Sequence, residues 1–264
     1  MPRRLPAAAF LLLLLPWPLV AQSTGAMLEF EKFADIYGSR LVAAFDSIPA
    51  ANYNYRPTPV QQTVGYIAQH LENANYTLCG SFGHVTPSRT AKDAMADTVK
   101  ARWPKDTLVA RLRASVHFCD LALDRVPAVS SADVAGSLLA FETDLAEHYS
   151  QIAVYMRLLG LVPPSALPRR FPPVVALPAT ALAPYVGEYE LVPGLDLVVT
   201  ARNAALWVRS TNNGANVRLW PESPSAFFTK EVDVEVTFER DANGRVTGLT
   251  FRQYGRSRPA RKIR

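Results

Sequence analysis

Four histidines are the residues best suited to chemistry, and their settings differ. His148 falls on an apolar helical seam between Leu145 and Ile152, with Asp144 one turn earlier. At i, i+4 the carboxylate and the imidazole project from the same helix face. His70 lies at the edge of another apolar stripe, between Ile67 and Ala74. Two histidines and one carboxylate from two facing helices have the donor set of a three-ligand site for a divalent metal, with positions left for water or substrate. Read from spacing alone, the same residues also fit an Asp-oriented structural histidine beside an unrelated His70. His84 falls in a long connection and His117 beside Arg113, Asp120 and Asp124, so solvent is the expected surrounding of both.

Cys79 and Cys119 are the only cysteines. Each reads as core-facing, and the spacing leaves two outcomes open: a disulfide or a pair of buried thiols. Without a Cys-x-x-Cys pair a thiolate metal or redox site is not expected. Gly-x-Ser-x-Gly, Ser-x-x-Lys, phosphate-loop and dinucleotide signatures are absent, which removes the nucleotide-binding and serine-nucleophile classes they mark.

The elements that must position these residues follow from periodicity. Helix one carries Phe30, Phe33, Tyr37, Leu41 and Phe45. Helix two is expected to start at Thr58-Pro59, a hydroxyl cap followed by proline, and to carry Val60, Val64, Ile67, Leu71, Ala74 and Leu78. Helix three carries Leu108, Leu112, Val116, Cys119 and Leu123. Helix four carries Leu138 through Leu159, with Gly160 as its terminator. The connection from Ser81 to Pro104 is long enough to cover a site, with a short helix near 91–102.

Near residue 163 the composition changes to a proline-rich stretch, and beyond it short alternating segments take over. Seven strand candidates run from Tyr185 to Tyr254, with Asn213-Gly214 and Asn243-Gly244 as hairpin turns. The expected fold is α+β in two domains, an up-and-down four-helix bundle followed by a small antiparallel β-barrel or sandwich. The expected boundaries are a leader over 1–21, a bundle over 27–162, a linker over 163–180 and a β-domain over 181–264.

The chain has 264 residues, is 49% hydrophobic and carries a formal charge of +5. Those values exclude disordered and disulfide-dense classes. Arg256, Arg258, Arg261, Lys262 and Arg264 read as a basic strand end or tail, and no nucleic-acid motif accompanies them, so no nucleic-acid partner is expected. Arg3-Arg4, the apolar run Ala7–Leu15 and Leu19-Val20-Ala21 before Gln22 have the layout of an export signal. A periplasmic or secreted protein follows, with no membrane anchor once the leader is cleaved.

Tyr55-Arg56-Pro57-Thr58-Pro59, Thr63 through His70, Glu147-His148-Tyr149-Ser150-Gln151, Tyr155-Met156-Arg157 and Gly160 together resemble the DinB-like superfamily over residues 30–166. The resemblance implies a four-helix bundle holding a divalent metal on three histidines, one on helix two and a His-x-x-x-His pair on the last helix. His70 and His148 match the first and third positions; Asp144 stands at the second, a departure that still supplies an oxygen ligand. Zinc is the metal first implied, with nickel, manganese or iron as alternatives. Members include bacillithiol- or mycothiol-dependent transferases, a maleylpyruvate isomerase and hydrolases; export argues against thiol transfer, whose cosubstrates are cytoplasmic. Residues 181–264 look like a small β-domain of unknown function that trails exported β-lactamase-like or peptidase-like domains. The function implied is a metal-dependent hydrolase or transferase acting on a small molecule that the sequence does not name. The competing reading is a non-catalytic exported protein that binds a ligand or partner.

Overall fold

The computed structural model describes residues 25–126, 131–212 and 214–264. The export signal, the cleavage position before Gln22 and Asn213 of the first expected hairpin turn lie outside these residues. Among the described residues, no helix is long and apolar enough to cross a membrane.

The expectation of an up-and-down four-helix bundle followed by a small barrel or sandwich is overturned. The described residues hold six α-helices and a closed barrel of eight antiparallel strands. The helices are α1 (Gly25–Ser47), α2 (Val64–Phe82), α3 (Asp97–Lys100), α4 (Lys105–Leu123), α5 (Ala132–Leu158) and α6 (Ala179–Leu182). Both additions to the four long helices are single turns; α3 falls within the short helix expected near 91–102, whereas α6 was not expected and is too short to show a 3.6-residue period. An Asp97–Lys100 ion pair of 3.0 Å spans α3, and Pro178 and Pro184 bracket α6.

Nor is α1 given wholly to its helical neighbours. Leu41, Ala44, Phe45 and Ile48 enter the core shared with α2, α4 and α5, whereas Leu28, Glu31 and Asp35 lie at the barrel. The same helix thus borders the helical core and a pocket beside the barrel.

The start of α2 also differs from expectation. Thr63 is the cap, its hydroxyl accepting from the Tyr66 amide at 3.2 Å. Residues 58–61 form a turn instead, with Val60 94% exposed, so its apolar side chain belongs to no stripe. Gly65 fixes the geometry here. A Cβ at that position would sit 2.3 Å from the Ala101 carbonyl oxygen, so only glycine lets α2 pass so close to the segment after α3.

At its other end, α5 stops as expected. Gly160 has φ +73°, its amide bonds to Arg157 and the Leu161 amide reaches back to Met156. That is the double closure of a glycine-terminated helix.

The cysteine alternatives resolve to a disulfide. Cys79 of α2 and Cys119 of α4 are bonded, with Cα atoms 5.2 Å apart, beside a buried hydrogen bond of 2.9 Å from Asn75 to Ser115. Covalent and polar links thus tie α2 to α4 in one buried strip.

The barrel strands are β1 (Gly187–Val192), β2 (Leu195–Arg202), β3 (Ala205–Ser210), β4 (Asn216–Pro221), β5 (Ala226–Phe228), β6 (Val234–Arg240), β7 (Val246–Gln253) and β8 (Arg256–Lys262). Each pairs with its sequence neighbours, and β1 closes on β8 through Tyr189 opposite Lys262 and Glu190 opposite Arg261. Closure leaves no free sheet edge to recruit another chain. The interior is filled by alternating residues, among them Tyr189, Leu197, Val199, Phe227, Val236, Phe238 and Leu249. β8 is the strand that the reading as a basic tail missed. Its buried-side positions carry Arg256 and Arg258 ahead of Ala260, so no apolar alternation announces it.

Candidate metal centre

Packing of α2 on α5 brings all three proposed ligands together. Asp144 and His148 project from α5 one turn apart, and His70 meets them from α2. Asp144 Oδ1 lies 3.5 Å from His70 Nε2 and 3.4 Å from His148 Nε2, and the two imidazole rings sit edge to face with centroids 4.9 Å apart. One ligand atom from each residue falls within 4.8 Å of the other two. His148 is the most buried of the three and His70 the most exposed, so the cluster opens to solvent on the α2 side.

A hydrogen-bond chain fixes which nitrogen of His148 carries a proton. The backbone carbonyl of Gln62 can only accept, so the Tyr155 hydroxyl donates to it at 3.1 Å. That hydroxyl then accepts from Gln151 Nε2 at 3.2 Å, which turns Gln151 Oε1 toward His148 Nδ1 at 3.0 Å. With Nδ1 donating, a neutral His148 presents the lone pair of Nε2 to the Asp144 carboxylate. Two acceptors then face each other, an unfavourable arrangement unless a cation lies between them.

Without a metal, protonation of His148 is the alternative, since an Nε2–H can then face Asp144. Burial raises the Asp144 pKa, but the neighbouring His148 and His70 imidazoles outweigh it and hold the carboxyl at about 2. Burial opposes protonation of His148, yet Asp144, Gln151 and the charge of Glu147 together shift its pKa upward. Meanwhile Asp144 Oδ2 is buried without a hydrogen-bond partner. The cluster therefore has more acceptor capacity than its own protons fill.

The donor set fits a metal. An ion held tetrahedrally by N and O ligands at about 2.0–2.1 Å separates those ligands by about 3.3–3.4 Å. The observed 3.4 and 3.5 Å match such edges. They exceed the usual range for an N–H···O hydrogen bond.

The other two histidines stay apart. His84 and His117 are exposed, His84 in a left-handed backbone conformation. The connection expected as a lid is clamped elsewhere. Arg89 pairs with Glu72 at 3.1 Å and Asn73 at 2.7 Å, and Arg111 of α4 pairs with Glu72 at 2.9 Å and with Asp93. Arg111 also stacks on Trp103. Sequence reasoning missed this cluster; its one signal was Glu72, an acid next to the core residue Leu71. It also missed the orienting role of Gln151, legible only as a polar residue one turn beyond His148.

Residues 172–262 match the profile of a domain of unknown function (DUF3471), which spans the barrel and the segment leading into it. No curated protein matches the chain. A solved structure described as "Crystal structure of SurE with D-Leu" aligns over 46% of this chain and 28% of its own, at 19% identity and a TM-score of 0.29, too low to indicate a shared fold. The carboxy-terminal third of the chain thus falls within a recurring β-domain to which no function is attached.

Proposed function

We propose that His70, Asp144 and His148 hold a divalent metal ion, zinc in the first instance, and that the protein is an exported metal-dependent hydrolase or transferase of a small molecule. The observation that carries this reading is the pair of near-equal distances from Asp144 Oδ1 to two imidazole Nε2 atoms, in a setting where Gln151 turns the His148 lone pair inward. When bound, such an ion supplies Lewis acidity that makes a water or a thiol nucleophilic near neutral pH. Tyr155 and Gln151 orient His148, and the exposure of His70 leaves the approach to the cluster open. The DinB-like motifs favour the same ligand positions, with aspartate in place of one histidine. The Cys79–Cys119 bond favours an oxidising compartment and so supports export.

The test is zinc titration of the chain produced without a polyhistidine tag, alongside Asp144→His and Asp144→Ala. Stoichiometric binding that Asp144→His keeps or tightens and Asp144→Ala weakens at least about tenfold supports the centre. Binding indifferent to both substitutions removes it.

A further inference from the structure

At the end of the barrel opposite the one that α1 borders, the β6–β7 turn and the end of β8 surround an open pocket of about 650 Å³. Arg245, Arg261, Lys262 and Arg264 line it, and no acid does. The rest of the wall is Thr247 and apolar side chains, Pro184 and Ile263 among them. Four cations gathered without an acid repel one another, and an anion in their midst relieves that repulsion.

Two of the four have partners outside the pocket. Arg261 reaches Glu190 at 3.4 Å and Arg264 reaches Glu188 at 3.5 Å, both in solvent-facing positions where such pairs are weak. Lys262 Nζ donates to the Pro184 carbonyl at 2.9 Å, and among the described residues no carboxylate lies within ion-pair distance of Lys262 or Arg245. Asp241, at the base of the turn, is held by the backbone amides of Asn243 and Arg245 at 2.9 Å each. Burial and the charge of Arg245 both push the Lys262 pKa below the ordinary lysine value, so the fold sets these two cations close enough to repel.

The unpaired charge and the available donors narrow the class of anion. A phosphate group carries about −1.5 to −2 at pH 7 and three strong acceptor oxygens, which matches two unpartnered cations better than a singly charged carboxylate does. Lys262 has two N–H groups left beyond Pro184, Arg245 offers a guanidinium fork, and Thr247 adds a hydroxyl. We propose that this pocket binds a phosphate group, free or as a monoester, on Lys262 and Arg245, with Arg261 and Arg264 adding charge at the rim. Pro184 and Ile263 are the surface for the body of an ester. The site shares no residue with the triad and stands whether or not a metal binds there.

The experiment is an amide NMR titration of the full chain, without added metal and at constant ionic strength, with inorganic phosphate, phenyl phosphate and benzoate. Saturable shifts confined to residues 183–188, 243–248 and 260–264 are expected from the phosphates, with benzoate at least about tenfold weaker. Tighter binding of phenyl phosphate than of inorganic phosphate assigns the site to an ester, and binding no tighter assigns it to free phosphate; both results support the site. Arg245→Gln alters an exposed side chain and should weaken phosphate about tenfold. Arg209→Gln, at an exposed position at the other end of the barrel, should leave it unchanged. The inference is overturned by shifts that do not saturate up to about 10 mM phosphate, by benzoate binding as tightly as phosphate, or by equal effects of the two substitutions. The last of these would mean that phosphate answers only to the overall positive charge.

Discussion

Two charged clusters in this molecule are built in opposite ways. Along the seam between α1, α4 and β8, Arg256 donates to Asp35 and Asp124 at 3.0 and 2.7 Å, and Arg258 closes on Glu31. Most of its distances lie in the hydrogen-bond range, and protein charge neutralises protein charge. At the triad of α2 and α5, Asp144 Oδ1 lies 3.4 and 3.5 Å from the two imidazole Nε2 atoms, and Asp144 Oδ2 has no partner. The seam pairs each guanidinium with carboxylates at contact distance, although Glu31 Oε1 is, like Asp144 Oδ2, buried without a partner. A cluster that awaits a cation keeps acceptors facing one another at the spacing the cation imposes.

Breaking the seam should give the largest effect. Arg256→Ala leaves three carboxylates together with no cation and should cost about 3 kcal/mol in urea denaturation, while zinc affinity at the triad is unchanged. Loss of zinc affinity in the same variant would show that the clusters are not independent. A smaller effect is expected from loosening the triad. Gln151→Ala frees the His148 ring and should weaken zinc binding about tenfold with little change in metal-free stability. Equal binding would mean that Gln151 does not set the tautomer.

The smallest effect is a pH dependence at the edge of the seam. Asp120 is desolvated by burial, which outweighs the attraction of Arg256 and His117, and with repulsion from Asp35 and Asp124 its pKa rises from 3.8 to about 6. Asp35 shifts in the same direction. Between about pH 4 and pH 6 the unfolded chain therefore gives up this proton before the folded one does, so stability falls as pH rises through that window. Asp120→Asn should remove that part of the slope and stabilise the protein by about 1 kcal/mol above pH 6, less than the full shift because a third of the side chain stays in water. A melting temperature difference independent of pH would contradict it.

The seam also shows why the fold was only partly legible in the sequence. The apolar stripes of α1, α4 and α5 and the Gly160 stop follow a 3.6-residue period, and the strands from β1 to β7 alternate because one face fills a barrel. β8 escapes that logic, since Arg256 and Arg258 occupy positions where an apolar side chain would announce a strand, and their partners come from α1 and α4, far away in sequence. The single-turn helix α6 is shorter than any period. Thr58-Pro59 imitates a helix start that Thr63 performs, its hydroxyl accepting from the Tyr66 amide. Of the triad, the Asp144–His148 pair is a local i, i+4 relation and His70 an edge position on a stripe. The Glu31–Arg258 contact has no local signature, because it joins α1 to β8 across most of the chain.

The most direct test of the metal centre is elemental analysis of the chain purified without a tag, after equilibration with zinc and removal of the excess, beside His148→Ala. About one zinc per chain in the parent and none in the variant is the expected result. No retained metal in the parent, or the same amount in His148→Ala, would leave the triad an ion-paired pair of histidines and contradict the proposed chemistry.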